Sequence, residues 1–447
     1  MICADYSDFY TNIRIYDGRA NETQMFKHIL SHDLIRCCNQ RLYYYNEYEG
    51  RYASVPRKKE WHYLSRFFSD KINTEIPGRC INELITRLMN NSDIQIDTDE
   101  FNSQTDLINV RNGVLDYKSG KLLAKSPKYL FNYMINASYN PHANINDAPM
   151  FKSFCKTSLD GCSDKIKLLL QIIGYLCSSL TEAKKCFILI GAPDSGKSLI
   201  IHLMEYLIGS EFTCNIQLEN LSRRFSTAEL STKFLNICGE LSARPLRNIE
   251  TFKLIVGGDT LSGEFKGQPM FYFKNKCKLL YAGNVLPPIK NEDISLAFIN
   301  RLILLCFSHS IPKSERIYDM TDKLKNEADT IFSLGINELS DLIETGYRFA
   351  IPDDSAKLLS DYAFEQTNID SFIEHCCIIG SEYKIHTVEL YKAYTDFCTA
   401  NAVSPISQNL FSQKIASLPN AESSRFRING GAPTRGFKGI GLNDIKQ

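Results

Sequence analysis

Gly191-Ala192-Pro193-Asp194-Ser195-Gly196-Lys197-Ser198 satisfies the pattern G-x-x-x-x-G-K-[ST] in full. Glycines at its two ends let successive backbone N–H groups curl around phosphate oxygens. A lysine placed after the second glycine reaches the β- and γ-phosphates, and the hydroxyl that follows reaches Mg²⁺. The apolar run Phe187–Ile190 precedes the pattern and the helix-like stretch Leu199–Ile208 follows it. This is the strand–loop–helix setting that a phosphate-binding loop needs. Gly191 through Ser198 are therefore expected to hold a nucleoside triphosphate, with ATP and Mg²⁺ as the ligands.

Hydrolysis needs a carboxylate to orient water and, with Ser198, to hold the metal. The run Phe234–Cys238 leads through Gly239 to Glu240, which would emerge at a strand end, where parallel sheets place their ligands. A solvated loop glutamate fits the same residues. Lys278–Gly283 leads in the same way to Asn284, whose amide suits a γ-phosphate oxygen or the attacking water, although Gly-Asn is also a common turn. Arg301 stands before the apolar run Leu302–Phe307. Its guanidinium suits charge on a transferring phosphoryl group, often from a neighbouring subunit, and equally suits a local acid at a strand edge. Between Glu240 and Asn284 lies the glycine-rich stretch 257–267, with Phe265 to stack on a base and Lys266 to meet a phosphate, or with neither role in a plain surface hairpin.

Elements that would position these groups can be read from the spacing of apolar residues. Short strands are expected at Phe187–Ile190, Phe234–Cys238, Lys278–Ala282 and Leu302–Phe307, separated by helices near 199–208 and 246–256. Strands separated by helices give an α/β core with a mostly parallel sheet. Upstream, Arg111–Gly120 reads as a hairpin, and Ser163 as the cap of a helix over 164–178 with one apolar stripe. Downstream, 311–368 reads as helical. The tail reads as helices at 370–377, 388–401 and 407–415 followed by two strands near 425–428 and 437–442, a winged-helix pattern. There Arg425, Arg427, Arg435 and Lys438 form a basic group suited to DNA phosphate, or to solvent alone.

Bulk properties narrow the classes. A chain of 447 residues exceeds one small core, and its formal charge of +0 gives no global pull toward polyanions. The 15 cysteines contain no C-x-x-C pair and fall singly or in adjacent couples, so reduced thiols in a cytoplasmic protein are expected rather than a metal site or a disulfide framework. His28 and His32, four apart on a possible helix, have no further ligands nearby and read as a surface or packing pair. No signal pattern opens the chain, and its apolar runs fall short of a membrane span.

In this order the motifs resemble superfamily 3 helicases of the phage/plasmid primase–helicase type, also called D5-like or P4-like. The resemblance spans about 105–442. It begins at Arg111–Asp116, Tyr139–Pro141 and Gly174–Tyr175, and takes Gly191–Ser198 as motif A and Glu240 as the acidic position of motif B. Lys253, Gly258 and Asp259 match a K…GGD segment, Phe265 and Lys266 fall in the pore hairpin, Asn284 in motif C, and Arg301 at the arginine-finger position. The resemblance implies an AAA+-like P-loop core, a mainly helical N-terminal region and a C-terminal winged helix. The implied divisions are 1–104 of uncertain role, a D5-like helical domain at 105–180, the ATPase core at 181–310, a helical lid or linker at 311–368, and a DNA-binding domain at 369–447. It also implies a ring, usually a hexamer, moving on single-stranded or forked DNA beside a separate primase, with catalytic Lys197, Glu240 and Asn284 on one subunit and Arg301 from the next. Motif B usually carries two acids. Here Gly239 precedes Glu240, leaving Mg²⁺ to Ser198 and water, or to Asp259 or Glu264 approaching in space. A DNA-packaging or remodelling ATPase, or a replication initiator that uses ATP only to assemble, are the competing readings.

Overall fold

The computed structural model describes residues 26, 27, 30, 34–54, 62, 78–242, 244, 246, 249–267, 269–288, 296–401, 405–427 and 433–443. His28 and His32 lie outside the described residues. The N-terminal part is not mainly helical, contrary to the sequence expectation. Strands β1 (Ile35–Cys38), β2 (Arg41–Asn46) and β3 (Arg51–Ser54) form an antiparallel meander. The tight β1–β2 turn places Asn39 and Gln40 at positive φ (49° and 56°), as a two-residue hairpin loop requires. Strand alternation wins here because Leu42 and Tyr44 point inward with Ile35 and Cys37, onto Ile81, Leu84 and Leu88 of helix α1 (Gly78–Met89). A second meander, β4 (Leu107–Val110), β5 (Gly113–Asp116) and β6 (Lys121–Leu123), contains the hairpin expected at 111–120.

Two helices then lead to the core, α2 (Pro149–Ser158) and α3 (Ser163–Cys177). Cys162, not Ser163, occupies the N-cap position of α3. The single expected stripe also proves too narrow. Leu168, Leu169, Leu170, Ile172, Ile173 and Leu176 are all buried, because α3 is covered by the sheet on one side and by a later helix on the other.

The core runs β7 (Cys186–Gly191), α4 (Lys197–Ile208), β8 (Thr213–Cys214), α5 (Ser226–Leu230), β9 (Leu235–Cys238), α6 (Glu250–Gly257), β10 (Thr260–Gly263), β11 (Phe271–Lys274), β12 (Lys278–Gly283), α7 (Leu296–Ile299) and β13 (Leu302–Phe307). Five of these strands form a parallel sheet in the order β13-β7-β12-β9-β8. Their near-continuous apolar sequences fit a sheet covered on both faces. β10 and β11 stand apart as an antiparallel hairpin.

Helices α8 (Met320–Asn326), α9 (Ala328–Glu344) and α10 (Asp353–Cys376) follow. α9 crosses α3 at a glycine pair so close that a Cβ on Gly174 would lie 2.1 Å from the Gly335 carbonyl oxygen. The 368/369 division drawn from sequence falls inside α10, which continues into the C-terminal unit. That unit holds β14 (Cys377–His386), α11 (Thr387–Ala400), α12 (Gln408–Ile415), β15 (Glu422–Phe426) and β16 (Thr434–Leu442), with the sheet order β14-β16-β15. Phe372, Leu390, Tyr394, Phe411, Phe437 and Ile440 form its core, and the arrangement resembles a winged helix. No helix among the described residues is long and apolar enough to cross a membrane.

Candidate nucleotide and nucleic-acid sites

β7 delivers the chain at Gly191 and α4 takes it up at Lys197, so the phosphate loop is a turn between a buried strand and a helix N-terminus. Gly196 adopts φ +98°, and a Cβ there would lie 2.5 Å from Ser158 Oγ and 2.9 Å from a Phe154 ring carbon. Only glycine lets the loop curl while α2 lies against it. Lys197 is buried, and its Nζ donates to the carbonyl oxygens of Gly191 (2.9 Å) and Ala192 (2.5 Å) and to Ser195 Oγ (3.2 Å). Burial pushes its pKa below the usual lysine value, against the opposing pull of Asp194. Ser198 is exposed in the first turn of α4, among backbone N–H groups that have no intrahelical partner.

The segment after β13 grips the loop from above. Ser310 Oγ donates to the Pro193 carbonyl (2.6 Å), the Ile311 amide to the Asp194 carbonyl (3.0 Å), and Arg316 pairs with the Asp194 carboxylate (2.8 Å). Beside the loop, between α2 and this segment, opens a cavity of about 340 Å³.

Strand register decides which other residues share this site. Gly283 of β12 pairs with Ile190 of β7, and the Leu241 amide donates to the Ala282 carbonyl at 2.6 Å. Glu240 and Asn284 are both exposed and thus stand at the same sheet end as the phosphate loop. Arg301 does not. Leu302 pairs with Cys186, and the Cys186 amide donates to the Arg301 carbonyl at 2.7 Å, so Arg301 sits at the opposite end of β7. At about 3.3 Å per residue, the strand puts roughly 20 Å between Arg301 and its own chain's loop. Lys185, absent from the sequence reading, is half-buried beside Arg301. Its Nζ donates to the Asn300 carbonyl, and burial together with the Arg301 charge pushes its pKa down. The only sequence signal was a lysine pair directly before the strand.

Neither acid considered for Mg²⁺ stands beside Ser198. The Asp259 carbonyl accepts from the Asn275 amide (3.2 Å), below the start of β12 and at the Arg301 end of the sheet. Glu264 is held by Arg224 through two hydrogen bonds of 2.9 Å. Among the described residues no group of three or more His, Cys, Asp or Glu is arranged to hold a metal. The described cysteines are free thiols.

Phe265 and Lys266 lie in the loop of the β10–β11 hairpin, and the Phe265 ring stacks on Phe271 at 5.4 Å. Arg224 and the exposed Phe225 flank this hairpin, a basic–aromatic couple that the sequence reading passed over. In the C-terminal sheet Arg425 and Arg435 face each other in register, and Arg427 follows β15 in an exposed position. Lys438 pairs instead with Lys384 on one side and Glu422 on the other. Positions 435 and 438 point to opposite faces, so the basic group seen in the sequence is split by the pleat.

Two families match the chain. One, described as D5 N terminal like, matches residues 23–159, and the other, a family of unknown function (DUF5906), matches 189–301. Among solved structures, the A-form apo structure of the NrS-1 C-terminal region is 12% identical with a TM-score of 0.49, covering 93% of this chain and 98% of that one. An apo structure of the same region (305–718) is 14% identical with a TM-score of 0.46, covering 93% of this chain and 98% of that one. Among curated proteins none matches.

Proposed function

We propose that this chain, which is related to the D5-like phage/plasmid primase–helicase family, is an ATP-driven DNA helicase that works as a ring, a hexamer being the expected form. One observation carries the reading: Lys197, Ser198, Asn284 and Glu240 gather at one end of the parallel sheet, while Arg301 stands at the other. Such a chain holds most of a hydrolytic site and offers the missing cation to a neighbour. Glu240 orients the attacking water, Asn284 meets the γ-phosphate, and Lys197 gives up its carbonyl partners to hold the β- and γ-phosphates. Ser198 and Glu240 are an oxygen pair of the sparse kind that would hold Mg²⁺ carried by phosphates, and the bound ion would supply neutralisation of the phosphate charge. Arg301 of an adjacent subunit, with Lys185 beside it, completes the charge stabilisation.

Single-stranded DNA is the proposed track, met by Phe265 and Lys266 of the hairpin. Arg425, Arg427 and Arg435 supply phosphate contacts from one face of the C-terminal sheet, Lys438 being proposed to contribute from the other, and a separate primase would supply primers. The proposed divisions remain 1–104, 105–180, 181–310, 311–368 and 369–447, in a cytoplasmic setting. The deciding experiment is ATP hydrolysis by the purified chain with and without single-stranded DNA, alongside Lys197→Ala. Turnover stimulated by DNA and lost in the variant is expected. ATP binding without turnover in the wild type would move the conclusion to an initiator that uses ATP only for assembly.

A further inference from the structure

The outward face of the β10–β11 hairpin leads from its tip to a small basic cavity at the amino end of the sheet. In β11, Phe273 is buried while Tyr272 and Lys274 face solvent, opposite Ser262 and Thr260 of β10. Tyr272 is 73% exposed, a large ring left to water on an extended strand. Lys274 then stands at the mouth of a cavity of about 40 Å³, between the amino ends of β9 and β12 and the segment matched as D5 N terminal like. Since one water needs roughly 10–15 Å³, the cavity has room for a few waters or for one tetrahedral oxyanion.

Its lining suits the oxyanion. Asn102 and Asn132, hydrogen-bonded to each other at 2.7 Å, form the wall from the D5-like segment, and Lys233, Lys274 and Lys276 stand on the core side. Lys276 is half-buried, and its Nζ donates to the carbonyl oxygens of Asp99 (2.8 Å) and Phe101 (2.7 Å). Lys233 Nζ donates to the Glu211 carbonyl (2.8 Å). Carbonyl oxygens position these ammonium groups without neutralising them. Among the described residues none of the three lysines forms an ion pair. The Asp99 carboxylate accepts only from the Lys274 backbone amide, at 3.4 Å. Burial pushes the Lys276 pKa down, with Asp99 opposing and the Lys274 charge adding to the effect. An anion between the lysines would relieve that repulsion.

We propose that this cavity holds a backbone phosphate of single-stranded DNA, with Tyr272 stacking on a neighbouring base; the inference rests on the reading of the hairpin as part of a DNA track. β11 puts roughly 10 Å between Phe271, beside the tip, and Lys274, at about 3.4 Å per residue. A strand that meets Phe265 and Lys266 at the tip, with a phosphate on every nucleotide, therefore reaches the cavity along the Tyr272 face. Ring stacking tolerates any base, and lysine–phosphate contacts carry no sequence information, so this contact suits movement along any sequence. Through Asn102 and Asn132 the D5-like segment takes part in gripping the strand.

Binding of a fluorescent oligothymidine to the full chain across a range of salt concentrations tests the assignment. Lys274→Gln is expected to weaken binding by about threefold to tenfold. It should also lower the slope of log affinity against log salt by about 0.7, the counterion release of one phosphate on a single strand. Tyr272→Ser is expected to weaken binding by about tenfold with the slope unchanged, and Tyr272→Phe to bind as wild type does, because the ring stacks and the hydroxyl does not. Both side chains are exposed, and thermal unfolding checks that each variant keeps the fold. Wild-type affinity and slope in Lys274→Gln and Tyr272→Ser, with Lys266→Gln still weakening binding, would overturn this contact and leave the hairpin tip as the track. Thermal stabilisation of the wild type but not of Lys274→Gln by inorganic phosphate at matched ionic strength, with equal oligothymidine binding, would assign the cavity to a free oxyanion and overturn the DNA contact. No oligothymidine binding by the wild type would remove the DNA-track reading itself, and this contact with it.

Discussion

The two ends of the five-stranded sheet are built differently. At the carboxyl ends of the strands the one cation of the phosphate loop, Lys197, is cradled by carbonyl and hydroxyl oxygens, with exposed Glu240 and Asn284 alongside. At the amino ends, two cations lie together, Lys185 beside Arg301, and a third, Lys278 at the start of β12, is buried. One end waits for negative charge with its ligands already in place, whereas the other presents positive charge with no phosphate loop near it. A self-sufficient site would combine them. On the proposed function, a head-to-tail assembly would use this separation, the amino end of one copy completing the carboxyl end of the next.

The strongest way to break that comparison is to disable each end in turn. Lys197→Ala and Arg301→Ala are each expected to lower DNA-stimulated turnover by about 10³-fold. Mixing the two inactive proteins is expected to restore measurable turnover, because a subunit with intact Lys197 then meets a neighbour with intact Arg301. A mixture as inactive as its parents, under conditions where the two proteins co-assemble, would show that the ends do not act on one another. Next in size is Glu240→Gln, expected to keep ATP affinity while turnover falls by about 10²-fold or more. Ordinary turnover in that variant would remove Glu240 from the catalytic end.

This asymmetry was partly legible in the sequence. β7, β9, β12 and β13 announce themselves as apolar runs, each bounded by a glycine or a polar residue that can be placed at a strand end. Their order across the sheet is not legible, and it is the order that puts Asn284 between the loop and Glu240. β8 spans only Thr213–Cys214, too short for any periodicity, and β14 buries only its Cys377 and Ile385 positions, so its alternation carries no clear apolar signal. The N-terminal meander was missed because successive tyrosines at 43–45 blur the distinction between inward and outward positions. The cavity joins residues near 154 with residues near 317, and no local pattern connects segments so far apart.

A smaller test concerns Lys278, whose burial pushes its pKa down to about 7. The rings of Phe234 (4.5 Å) and Tyr175 (5.5 Å) lie close enough to favour the charged form in part. With the folded pKa below the unfolded value, the unfolded chain binds more protons between about pH 7 and pH 10, so this residue makes the protein more stable as pH rises through that window and less stable as it falls. Lys278→Met should flatten the dependence, with wild type gaining on the variant by at least about 1 kcal/mol across the window in chemical denaturation. Parallel stability curves would show that the lysine keeps its charge in the fold and that the amino end tolerates a buried positive charge.

The smallest expected effect is also the sharpest probe of the carboxyl end. Gly239 stands where the family resemblance leads to the expectation of a second acid, and the structure gives no steric reason for the glycine. A Cβ there would meet only the Ile201 Cγ2 atom at 3.9 Å, and its φ lies outside the left-handed region. An aspartate therefore fits without strain, next to Glu240 and at the end of the sheet where Ser198 lies in the first turn of α4. Gly239→Asp is expected to fold normally and to lower the Mg²⁺ concentration giving half-maximal turnover by roughly tenfold, since one more carboxylate would hold the ion's hydration shell. Unchanged Mg²⁺ dependence would mean that Ser198, Glu240 and the phosphates already saturate the ion, making the glycine a neutral departure. Lower turnover at saturating Mg²⁺ would mean that a second negative charge repels the γ-phosphate. In that case the single acid is a feature of a carboxyl end tuned to depend on the cations of its neighbour.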